Sequence, residues 1–344
     1  MRAVIVSEFG DIETTGLGHI VSPSPGYGEI LVDVRVTAVN YVDLLVIAGK
    51  YQFRQECPFV PGKGPAGVVA ALGRGVDQFK VGDRVLAMAE QGGYAEQVTV
   101  PATQCYRLPD SLSYAEAAAM ALVYDTAWVA LRERARIREG EAALILGASG
   151  GVGYAALQLA QTMGARTLAG IARPEKAGFV LAAGAEAVID LSVPNLHEEL
   201  RRQVYAANQG RGADVILDPL GGDIFDAAIR ALAWRGRMVV IGFAAGRIPT
   251  LKTNYLLLKN IELSGLQVSD YRKQTPDIMQ ECFTEIFSLY KAGRIRPAPI
   301  TRFPLEDYRS ALAQVRDRTA HGRLVLDTAL DRDKSKRYIP QNFQ

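Results

Sequence analysis

A chain of 344 residues, 49% hydrophobic and 22% charged, has the composition of an ordinary globular protein and the length for two domains. Its 39 basic and 37 acidic residues leave a net charge of +2, with no polybasic run beyond the mixed tail Arg332–Arg337, so nothing in it is built to track a nucleic-acid backbone. Three cysteines (Cys57, Cys105, Cys282) without a Cys-x-x-Cys pair, and three isolated histidines (His19, His197, His321), exclude a disulfide framework and offer no metal site.

The N-terminal apolar run Ala3–Val6 is too short for a signal peptide and is soon followed by Glu8, which places the protein in the cytoplasm. Short strand-like runs broken by Gly and Pro then fill residues 1–122: Ala3–Val6, Glu29–Val39, Gly67–Leu72, Arg84–Met88 and Ala95–Val100. They predict a β-rich, barrel-like unit. Ser113-Tyr-Ala-Glu116 is a capping box that opens a helix through Met120, and a second helix is predicted from about Tyr124 to Arg134.

At Ala143–Leu146 four apolar residues in a row suit a buried parallel strand. Gly147, Ser149, Gly150, Gly151, Val152 and Gly153 form a tight turn, and Tyr154–Ala165 has helical spacing. Strand, glycine turn and helix together suit a pyrophosphate, which can approach bare N–H groups at the positive end of the helix dipole. Glycines also mark ordinary turns and crowded packing, so the turn alone leaves both readings open. Ala142–Ala160 carries no charge over a membrane-span length, but its glycines, Ser149 and Gln158 divide it, and no transmembrane segment is expected. Strands over Arg166–Gly170, Ala187–Leu191, Ala213–Leu217, Arg237–Ile241 and Ile261–Leu266 alternate with helices over Pro174–Ala183, Leu196–Asn208 and Ile224–Ala233, which implies right-handed crossovers and a parallel sheet. Helices over Thr275–Ala292 and Leu305–Val315 follow, then a strand Arg323–Leu326 that can return to the first domain. The polar end, Asp331–Gln344, reads as a loosely held arm.

Several spaced motifs carry a resemblance: Asn40-Tyr-Val-Asp43, Pro58-Phe-Val-Pro-Gly-Lys-Gly-Pro-Ala-Gly67, Gly82-Asp-Arg-Val85, Gly92-Gly-Tyr-Ala-Glu96, Thr126-Ala-Trp128 and the glycine turn. To about Asp327 the chain resembles the zinc-independent quinone oxidoreductase (zeta-crystallin-like) branch of the medium-chain dehydrogenase/reductase superfamily. The resemblance implies an α/β fold: a GroES-like β-rich domain (1–122, completed by 268–344) and a Rossmann domain with a doubly wound parallel sheet (123–267). It also implies a homodimer paired through the strand Ile261–Leu266. Zinc-dependent relatives have a cysteine and a His-Glu pair where this chain has Asn40 and Lys63-Gly64, and Asn and Lys cannot replace a thiolate and an imidazole. The lobe of four cysteines is absent too, since Met88–Glu96 runs through Gly92-Gly93 without one. The branch itself commonly has an acidic residue where Gly64 stands.

Without a Lewis acid, oxidising a simple alcohol loses the ion that would stabilise a developing alkoxide. A quinone or an α,β-unsaturated carbonyl delocalises the incoming charge, and a hydrogen-bond donor then suffices. Tyr51 matches the tyrosine that related enoyl reductases use as proton donor and that quinone oxidoreductases place in the substrate pocket; the bland reading is that it packs in a loop. By the same resemblance Asn40 orients substrate or cofactor amide, Thr126 contacts the nicotinamide side, and Gly242, Phe243 and Arg323 complete the cofactor contacts. Tyr41, Asp43, Phe243 and Leu266 are expected at the substrate pocket, with helix capping as the other reading of Asp43. At the end of the second Rossmann strand Ile171 occupies the acidic position of NAD enzymes, while Arg173 and Lys176 suit a 2′-phosphate, which selects NADPH. A solvated helix start is their bland reading.

Tyr255-Leu-Leu-Leu-Lys259 imitates the Tyr-x-x-x-Lys pair of short-chain dehydrogenases, but that family lacks the β-rich front segment and has a serine where Gly242-Phe243 stands, so the pair reads as structural. The expectation is a metal-free NADPH-dependent reductase acting on a small-molecule quinone or, in second place, on an enone or enoyl thioester such as acryloyl-CoA with Tyr51 donating the proton. Outside the enzymes, a non-catalytic NADPH-binding crystallin-like or RNA-binding protein remains, as does a glycine-loop methyltransferase, for which the front half would lack a purpose.

Overall fold

The computed structural model describes residues 1–330; the arm expected over 331–344 lies outside them. Fifteen strands are described: β1 (Arg2–Val6), β2 (Thr15–His19), β3 (Glu29–Val39), β4 (Ala66–Leu72), β5 (Arg84–Ala87), β6 (Gln97–Pro101), β7 (Cys105–Arg107), β8 (Ala142–Leu146), β9 (Arg166–Ile171), β10 (Ala187–Asp190), β11 (Ala213–Asp218), β12 (Leu232–Val240), β13 (Glu262–Gly265), β14 (Ile300–Pro304) and β15 (Arg323–Asp327). Contacts group the chain into two units, one of Met1–Leu122, Arg272–Phe283 and the residues from Pro297 on, the other of Val123–Tyr271 and Thr284–Arg296.

The first unit is built on a sheet in the order β14-β15-β3-β4-β5-β7, with β6 also pairing β3. Ile30, Val32 and Val34 alternate with more exposed residues along β3, the period of a strand with one face in a core. They pack with Val69, Val85, Val98 and Val100. A second cluster joins Val4 and Val6 of β1, Ile47, Phe59, and Leu324 and Leu326 of β15. β15 lies antiparallel to β3 and parallel to β14, so a strand from the end of the chain sits inside a sheet begun near its start.

The second unit holds a six-stranded sheet in the order β10-β9-β8-β11-β12-β13, and every pairing in it is parallel. All five residues of β8 are buried, as strands covered on both faces require. The chain runs outward from β8 to β10, then returns beside β8 as β11. That reversal marks the crevice at the carboxyl ends of the strands where doubly wound sheets bind ligands.

Boundaries differ locally from the sequence expectation. The helix after the glycine turn begins at Gly151 rather than Tyr154. The helix predicted over Ile224–Ala233 ends at Ala228, a 3-10 turn follows, and β12 begins at Leu232. A register shift between Ala213 and Val215 lets β12 start early; Arg235 has φ 63, and a side chain at Gly236 would meet the Ala233 carbonyl at 2.9 Å.

Candidate functional site

In the second unit the glycine turn sits at the carboxyl end of β8. Gly147 adopts φ +62, a conformation open to glycine. Gly150 N–H donates to Gly147 O (2.9 Å) and Tyr154 N–H to Gly150 O (2.8 Å), which leaves the first N–H groups of the helix Gly151–Thr162 without intrahelical acceptors. A Cβ on Gly153 would stand 2.5 Å from Gly147 O and 2.6 Å from Ala148 Cα. The turn therefore folds onto its own helix as a backbone cradle with no space for a side chain at Gly153, and Ser149 and Val152 stand half-buried within it.

Ile171, at the end of β9, is buried, and Arg173, Pro174 and Glu175 beyond it are exposed. Lys176 Nζ lies 5.9 Å from the Phe179 ring, which stacks on Tyr154 with centroids 4.9 Å apart. Asp190, in register with Ile171 on β10, accepts from Ser192 N and Oγ through Oδ1 (2.8 and 2.6 Å).

At the end of β11 stands Asp218, a residue the sequence reading passes over. Its Oδ1 accepts from Leu220 N and Gly221 N, both at 2.9 Å, while Oδ2 is buried without a partner. Burial raises its pKa and the two backbone donors lower it, with a net rise. Gly242 and Phe243 follow β12, and Gly242 N–H faces Asp218 O at 3.4 Å. Phe243 is 40% exposed, Leu266 follows β13, and Thr126 is buried in the helix Tyr124–Val129. Tyr255 packs against the sheet core, and Lys259 Nζ donates to Arg230 O at 3.3 Å.

The first unit carries the other half of the predicted set. Asn40 caps the helix Tyr41–Ile47, and its N–H donates to Asp43 Oδ2 at 2.8 Å. Tyr94 Oη donates to the same oxygen at 2.8 Å, and Asp43 Oδ1 is buried without a partner. Burial lifts the Asp43 carboxyl to about 6, against the pull of Asn40 N–H, Tyr94, Lys63 and Arg323. Arg323, on β15, donates from Nη2 to Asn40 Oδ1 (2.7 Å) and from Nε to Ala119 O (2.9 Å). It thus fixes the orientation of the Asn40 amide. Tyr41 is 43% exposed.

Tyr51 is half-buried, packed against the cluster that contains Val46 and Ile47. Lys63 Nζ lies 5.0 Å from the centroid of its ring, within cation–π range. Lys63 is 3% exposed, and its ammonium donates to Glu90 Oε2 at 2.6 Å while Arg272 Nη1 donates to Oε1 at 3.1 Å. Phe53, Gln55, Lys63, Glu90, Gln91 and Lys273 line a cavity of about 120 Å³ here. The sequence reading used Lys63 only as a missing zinc ligand. Glu90 lies 27 residues from Lys63, and Arg272 lies 182 residues from Glu90, distances at which no local pattern announces a contact.

A β-rich unit with this sheet and a Rossmann unit in the strand order above, on one chain, define an oxidoreductase of the medium-chain dehydrogenase/reductase class. Residues 26–110 match the alcohol dehydrogenase GroES-like domain and residues 151–284 the zinc-binding dehydrogenase family. The chain is 33% identical over 305 residues to a quinone oxidoreductase-like protein 2 homolog of Nematostella vectensis, covering 88% of this chain and 82% of that protein. It is 34% identical to quinone oxidoreductase-like protein 2 of Bos taurus, covering 87% and 84%. Escherichia coli quinone oxidoreductase, solved in complex with NADPH, superposes with TM-score 0.88 at 26% identity over 95% of this chain and 100% of that one. The chain belongs to the quinone oxidoreductase-like group of the medium-chain dehydrogenase/reductase superfamily.

The zinc in the name of the matched family does not suit the residues present. Among the described residues no group of three or more His, Cys, Asp or Glu could hold a metal ion. The Asn40 amide oxygen is engaged by Arg323, and the Lys63 ammonium has no lone pair to offer a metal. No described helix is long and apolar enough to cross a membrane.

Proposed function

We propose that this protein is an NADPH-dependent reductase that transfers hydride to a quinone without a metal. The observation that carries the reading is the glycine cradle at the β8 end, where a Cβ on Gly153 would collide with the backbone of Gly147 and Ala148. That close approach leaves the N–H groups of Gly151, Val152 and Gly153, at the start of the helix, for a pyrophosphate. Arg173 and Lys176 hold the 2′-phosphate, because no acid stands at Ile171 to favour a free 2′-hydroxyl. Thr126, Gly242 and Phe243 flank the nicotinamide, and NADPH, when bound, supplies the hydride.

The chain's own contribution is orientation and a proton. Asn40, fixed by Arg323, presents its amide in one orientation to substrate or nicotinamide. Tyr51, a phenol protonated at neutral pH, donates to the reduced acceptor. A second reading, reduction of an enone or enoyl thioester, is favoured by the Tyr51 phenol itself, which can supply the proton that the α carbon must gain.

The protein works in the cytoplasm as a homodimer joined through β13, a sheet edge with exposed Leu257 and Leu258 close by in sequence, because an unpaired edge invites a partner strand. Sedimentation at micromolar concentration tests the dimer, and a monomer refutes it. The function is tested by following NADPH oxidation over quinones, enones and acryloyl-type thioesters, with NADH as control. Equal use of NADH removes the role given to Arg173 and Lys176. No oxidation with any acceptor, together with a salt-dependent RNA shift, replaces the enzyme by the non-catalytic alternative.

A further inference from the structure

We infer that Phe179 is a positioning residue that sets the preference for NADPH over NADH, by holding Lys176 in place for the 2′-phosphate; this rests on the reading of Lys176 given above. Lys176 is half-buried, while Arg173, Pro174 and Glu175 before it are exposed. No ion pair or hydrogen bond with another described residue engages its ammonium, so Glu175 does not draw it away. The contact that locates it is the Phe179 ring, whose centroid lies 5.9 Å from Nζ, within the reach of cation–π attraction. Lys176 ends the 3-10 turn Pro174–Lys176, and Phe179 lies in the helix Ala177–Ala182 that follows. Residues three apart on such a helical stretch are neighbours on its surface.

The ring is itself held from its other side. Phe179 stacks on Tyr154 with centroids 4.9 Å apart and planes inclined by 29°, within the range that aromatic pairs favour. Tyr154 is in turn tied to the glycine turn. It follows Gly153, which lies so close to Gly147 and Ala148 that no Cβ fits there, and its N–H donates to Gly150 O at 2.8 Å. Its hydroxyl borders Gln158, whose amide is bonded in both directions to the Arg296 main chain, at 2.7 and 2.9 Å. A continuous run of contacts therefore joins the glycine turn to Lys176 through two rings. It fixes the reach from the pyrophosphate cradle to the phosphate that distinguishes NADPH from NADH. A lysine side chain free in solvent gives up rotamer freedom when it engages a ligand. One already laid against a ring has less to lose, and only a cofactor with the 2′-phosphate benefits.

Calorimetry on the full chain with NADPH and with NADH tests this. Phe179→Leu keeps an apolar side chain against Tyr154 and takes the ring face away from Lys176. It is expected to raise the Kd for NADPH about threefold, the hold of an aromatic face on a part-exposed cation, and to leave the Kd for NADH unchanged. Phe179→Tyr restores NADPH binding, and Phe179→Met, a second variant without a ring, repeats the loss. In a Lys176→Met background Phe179→Leu has no further effect on NADPH, because a residue that acts through another is silent without it. Equal weakening of both cofactors, unchanged NADPH affinity in Phe179→Leu, no restoration by Phe179→Tyr, or an undiminished effect in the Lys176→Met background each overturns the positioning role. Lys176→Met alone separates the two levels. Where it weakens NADPH selectively while Phe179→Leu does nothing, the 2′-phosphate contact stands and the role of Phe179 falls. Where it leaves NADPH binding unchanged, both fall.

Discussion

Asp43 is a carboxyl that the fold would rather keep protonated, and Asp43→Asn makes that visible. Burial holds its pKa near 6 in the folded protein, against about 3.9 in an unfolded chain. Between these values the folded state binds the extra proton, so stability falls as pH rises from about 4 to about 6 and is flat above. Two pKa units amount to about 3 kcal/mol. The asparagine oxygen can accept from Asn40 N–H and Tyr94 Oη as Oδ2 does, and the substitution carries no charge to desolvate. Urea unfolding followed by far-UV circular dichroism, from pH 4 to 8, compares the two proteins; tryptophan fluorescence serves less well, because Trp128 and Trp234 both lie in the second unit. Relative to the parent, the variant is expected to gain about 3 kcal/mol between pH 4 and pH 7. A constant difference across the range, or a gap that moves in the opposite direction, refutes the assignment of a raised Asp43 pKa.

Gly153→Ala forces the glycine turn off its helix and is expected to cost about 1–3 kcal/mol, read as a lower thermal midpoint, together with weaker NADPH binding by calorimetry. Arg323→Met leaves Asn40 Oδ1 and Ala119 O without their donor and should destabilise by about 2–4 kcal/mol; a loss below about 0.5 kcal/mol in urea titration contradicts the role given to Arg323. Arg173→Ala is expected to raise the Kd for NADPH about tenfold while NADH binding stays unchanged, and an equal effect on both cofactors removes the 2′-phosphate contact.

The Rossmann half was legible because its strands are short apolar runs separated by helices, and a parallel sheet requires that alternation. The first unit was harder to read. β2, Thr-Gly-Leu-Gly-His, has two glycines and little apolar content; it exists because its backbone completes a ladder with β1, which no local propensity reports. The helix Tyr41–Ile47 reads as a strand by its apolar run, and only the Asn40–Asp43 spacing betrays the cap. β14 ends on Pro304 and lies at a sheet edge, where proline is tolerated. Tyr51 could be picked out by its place in a motif, but Glu90 and Arg272 are ordinary surface residues in sequence until the fold brings them to Lys63.

The position of β15 between β14 and β3 has a consequence for how the protein is made. A ribosome releases the first 122 residues long before Leu324 and Leu326 exist, so the long strand β3 emerges with one side of its ladder unfilled. The second unit can close as soon as its own strands are out, while the first waits, its edge open, for the last strand to arrive. A nascent chain of this protein therefore finishes its beginning at its end, and any stall before residue 323 exposes a sheet edge together with an unheld Asn40.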